Sequence, residues 1–459
     1  LRRPQEKEGK VTFKHSFALT SHYGTHYPQR CGEALDEALY STEAYDAWCP
    51  LDPGRASPVF SRLAALPALT KRELRASGPQ GFVPNGRDIA GGLAEREIEL
   101  VTTSGVTGDQ VTNVWYQPWW NASEAASWQL NAHARAVTTG VHREAILTSP
   151  WCAGFPCEEG YLTMEQRTLG RFLFLSERSD PSSWSGDLMD RMVKELNAFE
   201  PVVLEANPSF LARLSRHIVR HRLHVHSPAL IVLTYENPSV LHRRQIHRAF
   251  DAPVASSYGA TEAGYVFMEC EAGRLHQVTA TCHVDFLPFA ADHGGPDVGR
   301  ILVTIFGNPW RSLIRFDVGD VVRMDGHSPC SCGRREGLTL MSVEGRTINL
   351  TLSPEGRAVT QGMVDRALGS VAGLVEYQIV QTESSSYHLR FVAEEAELPS
   401  VANEARDALR TVYGPAAMVR TDQVKSIAPD PPGKYCLCKR LEPLDPGALL
   451  DGQFAPSDL

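Results

Sequence analysis

Several short stretches of this chain gather residue types that handle a phosphorylated ligand. Thr102-Thr103-Ser104-Gly105-Val106-Thr107-Gly108 combines hydroxyls with glycines. Backbone N–H groups can then come close to phosphate oxygens while the Ser and Thr side chains add donors. The loop lacks the Gly-Lys-Ser/Thr of a Walker motif, and its bland alternative is a flexible polar turn. Tyr258-Gly259-Ala260-Thr261-Glu262 sets an aromatic face, a turn glycine, a hydroxyl and a carboxylate side by side. Such a carboxylate suits Mg²⁺, which prefers hard oxygen ligands shared with phosphate; an exposed turn is the alternative. Asp320 closes the run Ile314-Arg315-Phe316-Asp317-Val318-Gly319-Asp320, where an ionised carboxylate could accept from two adjacent hydroxyls or simply occupy a hairpin turn. Lys434 follows Pro432-Gly433. An ammonium on such a loop can swing toward a carboxylate or a phosphate and neutralise charge as phosphorus is attacked, although most lysines are surface residues.

A second constellation is Cys270, His276, Cys330 and Cys332. Soft thiolates with one imidazole suit a closed four-coordinate zinc site, but the C-x5-H and C-x-C spacings are not those of a standard finger, so unligated buried cysteines stay open. Cys282 and His283 are substitute ligands, whereas His221, His224 and His226 read as a polar basic segment. Cys436 and Cys438 would share one face of a strand and read as core filling. Trp115, Tyr116, Trp119 and Trp120, with Trp151 and Phe155, could wall an aromatic pocket, though core packing is the safer reading.

These residues need a scaffold. At 459 residues the chain exceeds the roughly 250–300 at which single cores stop growing, so two or three domains are expected. A 42% hydrophobic and 22% charged composition is ordinary for a globular protein, no apolar run approaches a membrane span, and a net charge of −9 argues against a nucleic-acid binder. No signal-peptide core follows the charged start, and the cysteine usage fits a reducing compartment, so a cytoplasmic address is expected. Residues 1 to about 95 read as an irregular helical lead-in, with Thr70 capping a short helix. Ile98 to Val101 alternates as a strand feeding the Ser/Thr/Gly loop. From Asp187, helices (188–199, 209–221, 240–250) alternate with strands (202–205, 229–233, and one ending at Ser257), the pattern of an α/β sheet whose ligands sit beyond the strand ends. After Arg346 come a helix (361–368), strands (375–381, 387–392), a helix (401–412) and a last strand (418–424), roughly 110 residues suited to a small α+β domain. The expected organisation is a large multi-subdomain α/β region over 1–345, with mixed and parallel sheets, and a small mobile α+β domain over 346–459 carrying Lys434.

Taken in order, Thr102 to Gln110, Tyr258 to Glu262, Ile314 to Asp320, Gly345-Arg346 and Pro432-Gly433-Lys434 resemble the signatures of the adenylate-forming superfamily. Leu66 to Leu74 (LPALTKREL) and Cys330-Ser331-Cys332-Gly333-Arg334 look like its phenylacetate–CoA ligase branch. The resemblance implies an ATP- and Mg²⁺-dependent ligase that adenylates a small, aromatic or otherwise planar carboxylic acid and passes it to CoA. It implies ATP contacts from Thr103, Ser104, Gly105, Thr107, Gly108, Tyr258, Gly259, Asp320 and Arg346, and catalytic roles for Lys434, Glu262 (on Mg²⁺) and Thr261. The acid would meet Trp151, Ser257 and Gly259, zinc would occupy the Cys/His set, and a homodimer is plausible. The chain departs from that pattern at Val106, Asp109, Gln110 and Val111, which should weaken ATP binding unless the Asp109 side chain points away. It departs again at Thr347-Ile348-Asn349, where acidic hinge residues are common. Hence the alternatives: an adenylating enzyme with a carrier protein or amine as acceptor, or a degenerate nucleotide binder.

Overall fold

The computed structural model describes residues 23–103, 110–137, 140–150, 162–326, 329–394, 398–430 and 434–452. Ser104, Gly105, Thr107 and Gly108 of the expected phosphate loop, and Trp151, lie outside these residues.

The lead-in is more regular than its sequence suggests. Helix α1 (Tyr27–Ser41) buries Tyr27, Cys31, Leu35, Ala38 and Leu39, one stripe at helical spacing. Three short helices follow, α2 (Val59–Ala64), α3 (Lys71–Ser77) and α4 (Ile89–Ala94). The cap expected at Thr70 forms: the Glu73 carboxylate accepts from the Thr70 backbone N at 2.6 Å and from its hydroxyl at 2.8 Å. Strands β1 (Glu99–Thr102) and β2 (Thr112–Trp115) pair as an antiparallel hairpin around the expected phosphate loop. Helices α5 (Gln117–Trp128) and α6 (Ala132–Ala136) come next.

One twelve-stranded sheet organises the large region. Its parallel half comprises β3 (Glu144–Leu147), β5 (Phe172–Phe174), β6 (Val203–Ala206), β7 (Leu230–Leu233) and β8 (Val254–Ala260), with β4 (Thr168–Leu169) antiparallel at the edge. Helices α7 (Gly186–Phe199), α8 (Pro208–His221) and α9 (Val240–Ala249) bury one face, packing Met192, Leu196, Leu211 and Ile246 on Leu147, Leu204, Ile231 and Leu233. The opposite face takes Trp128 and Ala134 from α5 and α6 against Val203, Val232 and Ala255. This two-sided burial explains the continuous apolar runs of these strands. The antiparallel half is β9 (Gly264–Glu269), β10 (Leu275–Gln277), β11 (Cys282–Pro288), β12 (Val298–Ile305), β13 (Phe316–Met324) and β14 (Thr339–Arg346), and α1 packs in its core with Phe267, Val303 and Phe316. The strand expected to end at Ser257 runs on to Ala260, because Tyr258 and Gly259 pair with Phe267 and Tyr265 of β9.

The remaining residues form β15 (Thr351–Leu352) with β16 (Ala358–Val359), helices α10 (Gln361–Leu368) and α11 (Leu398–Tyr413), and a four-stranded sheet. Its strands are β17 (Leu374–Glu383), β18 (Ser386–Ala393), β19 (Met418–Gln423) and β20 (Cys438–Arg440), in the order β19-β18-β17-β20. β19 is therefore not the last strand. β20 adds parallel to β17 and places Cys438, fully buried, in this core, while Cys436 just before it is half-buried and its thiol donates to the Cys438 carbonyl. The two cores touch through α8 and α9: Arg216 reaches Glu376 at 2.6 Å, the Val240 N–H donates to Asp365 at 2.8 Å, and Gln245 donates to the Val375 carbonyl at 2.8 Å. No helix among the described residues is long and apolar enough to cross a membrane.

Candidate active site

Three sequence-predicted residues converge where the sheet changes from parallel to antiparallel. Tyr258 on β8 donates its hydroxyl to Asp320 Oδ2 at 2.7 Å, and Arg346 at the end of β14 donates Nε to Asp320 Oδ1 at 3.1 Å. Register fixes the second contact, since Asp320 and Arg346 are paired residues of β13 and β14. Arg346 also donates to the Val318 carbonyl at 3.3 Å, and Thr347 donates to that of Gly319 at 3.1 Å. The charge of Asp320 is the largest influence on Arg346 and pushes its pKa up; burial first, and Asp320 second, push the Tyr258 hydroxyl well above its usual value. Tyr258 is thus a neutral donor, and an ionised carboxylate has acceptor sites left for further hydroxyls.

Glu262 occupies the turn after β8 and is 4% exposed. Its Oε1 is ion-paired with Lys71 Nζ at 3.3 Å. Lys71 escaped the sequence reading, although it lies inside the Leu66 to Leu74 motif. The buried guanidinium of Arg311, depressed by burial and held up in part by the charge of Glu262, donates to Asn113. A buried carboxylate held by one ammonium still has acceptor sites that fit a divalent cation shared with phosphate. Thr261 is half-buried beside it. Gly259 is required sterically, because a Cβ there would lie 2.4 Å from the Gly264 carbonyl oxygen. Thr103 closes the neck of the β1–β2 loop: its N–H donates to the Val111 carbonyl at 2.9 Å and its hydroxyl accepts from Val111 N at 3.0 Å.

Lys434 stands apart from this cluster. Reciprocal backbone bonds to Asp430, at 2.9 and 3.1 Å, hold it, and the N–H of Tyr435 donates to Glu236 at 2.6 Å. Glu236 follows β7; burial raises its carboxyl pKa, and the charge of Lys434 is among the influences lowering it. Among the described residues the Lys434 ammonium forms no ion pair of its own.

The metal set does assemble. Cys270, His276, Cys330 and Cys332 present donor atoms all within 4.8 Å of one another, with Cys270 and Cys330 sulfurs 3.7 Å apart and Cys332 Sγ 3.3 Å from His276 Nε2. Three sulfurs and one imidazole nitrogen are a donor set that zinc accepts. The substitutes are engaged elsewhere: Cys282 donates to the Val278 carbonyl, and His283 lies 2.9 Å from the Tyr27 hydroxyl. Among the described residues no other group of three or more His, Cys, Asp or Glu gathers in this way. The eight described cysteines form no disulfide. Of the aromatics, Trp119 is a core residue bonded to the Phe306 carbonyl, whereas Trp115 and Trp120 are half-buried with ring centroids 4.2 Å apart.

No protein-family model matches the chain. Protein CapK of Staphylococcus aureus is 23% identical over 252 residues, a match spanning 54% of this chain and 55% of that protein. A 2-hydroxyisobutyryl-CoA ligase in its postadenylation state, in complex with 2-HIB-AMP, superposes with a TM-score of 0.67 at 17% identity over 90% of this chain and 89% of that one. The same ligase in its thioesterification state, with 2-HIB-AMP and CoA, gives 0.54 at 18% identity over the same shares. The chain has the fold of the adenylate-forming ligases.

Proposed function

We propose that this protein activates a carboxylic acid with ATP, forming an acyl-adenylate and pyrophosphate, and then passes the acyl group to CoA. The observation that carries the reading is the Tyr258–Asp320–Arg346 cluster beside the buried Glu262 carboxylate, which is ion-paired with Lys71, within a fold whose solved relatives hold acyl-AMP. Tyr258 presents a ring face to the base, Asp320 accepts from the ribose hydroxyls, and Arg346 holds that carboxylate in place through its Nε hydrogen bond. The loop from Thr103 to Gly108 and the Thr261 hydroxyl would take phosphate oxygens. Glu262 would hold Mg²⁺, which when bound neutralises phosphate charge; Lys71 stands ready to balance the same carboxylate. The substrate carboxylate oxygen attacks the α-phosphorus, the bond to the β-phosphate oxygen breaks, and Lys434 offsets the charge that develops.

That last role requires the segment carrying Lys434 to move in from Glu236. We assign residues 1–345 to the adenylating domain and 346–459 to a small domain able to make that movement. The ligase that shares this fold is known in both a postadenylation and a thioesterification form, which supports a reading with such a movement. The half-buried Trp115 and Trp120 rings support a planar or aromatic acid, with Ser257 and Gly259 nearby on β8. Zinc in the Cys270, His276, Cys330 and Cys332 set would be structural, since four protein donors leave no open position. Elemental analysis should find one zinc per chain, and its absence from metal-replete protein refutes that assignment.

A second acceptor class is favoured by one observation: Thr347 is pinned to the Gly319 carbonyl and Ile348 is 70% exposed at the junction where a hinge would act. The experiment is pyrophosphate release from ATP across a panel of acids, with and without CoA. Acid-dependent release establishes adenylation, and thioester formation selects CoA. ATP binding with no release for any acid refutes the ligase reading.

A further inference from the structure

Beneath α5, one face of the parallel sheet carries a group of acids that the nucleotide chemistry does not use. Register places them together. Glu144 opposes Val203 and Glu205 lies two residues beyond on β6; Glu205 opposes Val232, which opposes Ala255; Ser257 lies two residues further along β8, and Tyr265 opposes Gly259. Helix α5 covers this face, with the Tyr265 N–H donating to Ser123 at 3.0 Å and the Trp120 and Tyr265 rings 5.1 Å apart. Glu124, beside Ser123 on α5, joins the same group, with Glu144 the largest charge acting on it and Tyr265 a hydrogen-bond partner.

The charges do not balance. Glu144 is satisfied by Arg171 at 2.8 Å and lies 3.0 Å from His142. Among the described residues neither Glu124 nor Glu205 has a basic side chain of its own; Glu205 accepts from the Tyr235 hydroxyl. Burial first, and the charge of Glu144 second, push Glu205 up to about 8 and Glu124 up to about 7. Both keep part of their surface open, as do Trp120 and Tyr265, so a ligand can reach them. On the same face Ser257 and Thr148, the latter just past β3, are both buried, and among the described residues their hydroxyls have no hydrogen-bond partner. An unpartnered buried hydroxyl is a standing cost that a ligand atom would relieve.

We propose that the acid this site accepts carries a cationic nitrogen, seated between Glu205 and Glu124 against the rings of Trp120 and Tyr265, with Ser257 bonding the chain toward its carboxylate. The proposal rests on the acid-activating reading above and names its substrate class. An ammonium supplies the counter-charge that both carboxylates lack and forms charge-assisted hydrogen bonds with them. The aromatic faces add cation–π attraction. An uncharged acyl chain would cover two half-buried acids with apolar surface and no counter-charge, which costs binding.

The test compares matched acids: 5-aminopentanoate with hexanoate, and 4-(aminomethyl)benzoate with 4-ethylbenzoate. In pyrophosphate release the amine member of a pair should show at least a tenfold higher kcat/KM. Calorimetry at pH 7 in two buffers of different ionisation enthalpy should show protons leaving the protein as the amine binds. Glu205→Gln and Glu124→Gln, each checked for fold by circular dichroism and for unchanged ATP affinity, should each reduce the preference and the proton release. Equal or better use of the uncharged acids, or folded variants that keep the full preference, overturns the proposal and leaves acid activation standing. Should no acid release pyrophosphate, the ligase reading falls and calorimetry still decides: amine binding with proton release that Glu205→Gln abolishes supports the cation site, and no binding refutes it.

Discussion

Glu344 and Glu205 are both glutamates on strands of the large sheet, and their environments push them in opposite directions. Glu344, fully buried on β14, accepts from Ser342 at 2.7 Å, from Arg366 at 2.8 Å, from Arg323 at 3.2 Å and from Thr360. Burial alone would raise its pKa, but Arg366 and the hydroxyls outweigh burial and the net shift is downward. Glu205 has one hydroxyl donor and two like charges nearby, and its pKa rises. Donors supplied by the chain, not depth, separate the two. The first carboxylate ties β14 to the start of α10; the second awaits a partner that the described chain does not provide. The same contrast divides the candidate site into the Tyr258–Asp320–Arg346 edge, proposed for the nucleotide, where the carboxylate is paired, and the face beneath α5, proposed for the acyl group, where Glu144 has Arg171 but Glu124 and Glu205 have no basic side chain of their own among the described residues.

The largest expected effect tests the paired edge where it is incomplete. Lys434→Ala should lower adenylate formation by about 100–1,000-fold, the usual cost of removing a transition-state charge partner, while the melting temperature stays unchanged. Next, Glu344→Ala should destabilise the fold by about 2–4 kcal/mol in chemical denaturation, below the range for a fully buried pair because Arg366 is 46% exposed. Asp320→Ala strands Arg346 and the Tyr258 hydroxyl; losing hydrogen bonds to a charged group, worth about 1.5–3 kcal/mol, should weaken ATP binding by about 10–100-fold in titration calorimetry.

The comparison sharpens further with pH. Glu344 is depressed in the folded state, so its stabilisation is present above the unfolded value of 4.5 and is lost as pH falls below it. Glu205 is raised to about 8, so the folded protein binds the extra proton and stability declines as pH climbs from 4.5 toward 8. Unfolding midpoints across pH should show Glu344→Gln flattening the acid limb and Glu205→Gln flattening the decline above it; a swap of those limbs would refute the assignment. The smallest effect belongs to the rim. Arg216, 36% exposed and paired with Glu376, should contribute under about 1 kcal/mol, so Arg216→Ala should leave stability and kcat/KM nearly unchanged.

Much of the proposed nucleotide edge was legible because its parts are local. Tyr258, Gly259, Thr261 and Glu262 lie within five residues, and Asp320 and Arg346 each sit in a short motif and pair across two neighbouring strands. The helix and strand order after residue 187 followed from periodicity, with errors at ends set by pairing: β8 extends past Ser257 because β9 pairs with it, and β20 exists because β17 offers an edge. The four metal donors were named from residue type, yet only folding brings Cys270 and His276 of the β9–β10 hairpin to Cys330 and Cys332. Lys71 was overlooked because nothing in its neighbours marks it as the partner of Glu262, far along the chain.

The sequence by itself determined the order of elements, the contiguous candidate motifs and the supply of charges, because each depends on residues near one another along the chain. Only the tertiary structure decided which charges meet. Glu124, Glu144 and Glu205 come from a helix and two strands and read as ordinary acids in their own segments; their shared face, their single arginine and the unpartnered hydroxyl of Ser257 arise only when the parallel sheet sets its register and α5 closes over it. Coulombic interaction and desolvation depend on separation in space, and that separation is a property of the packed sheet.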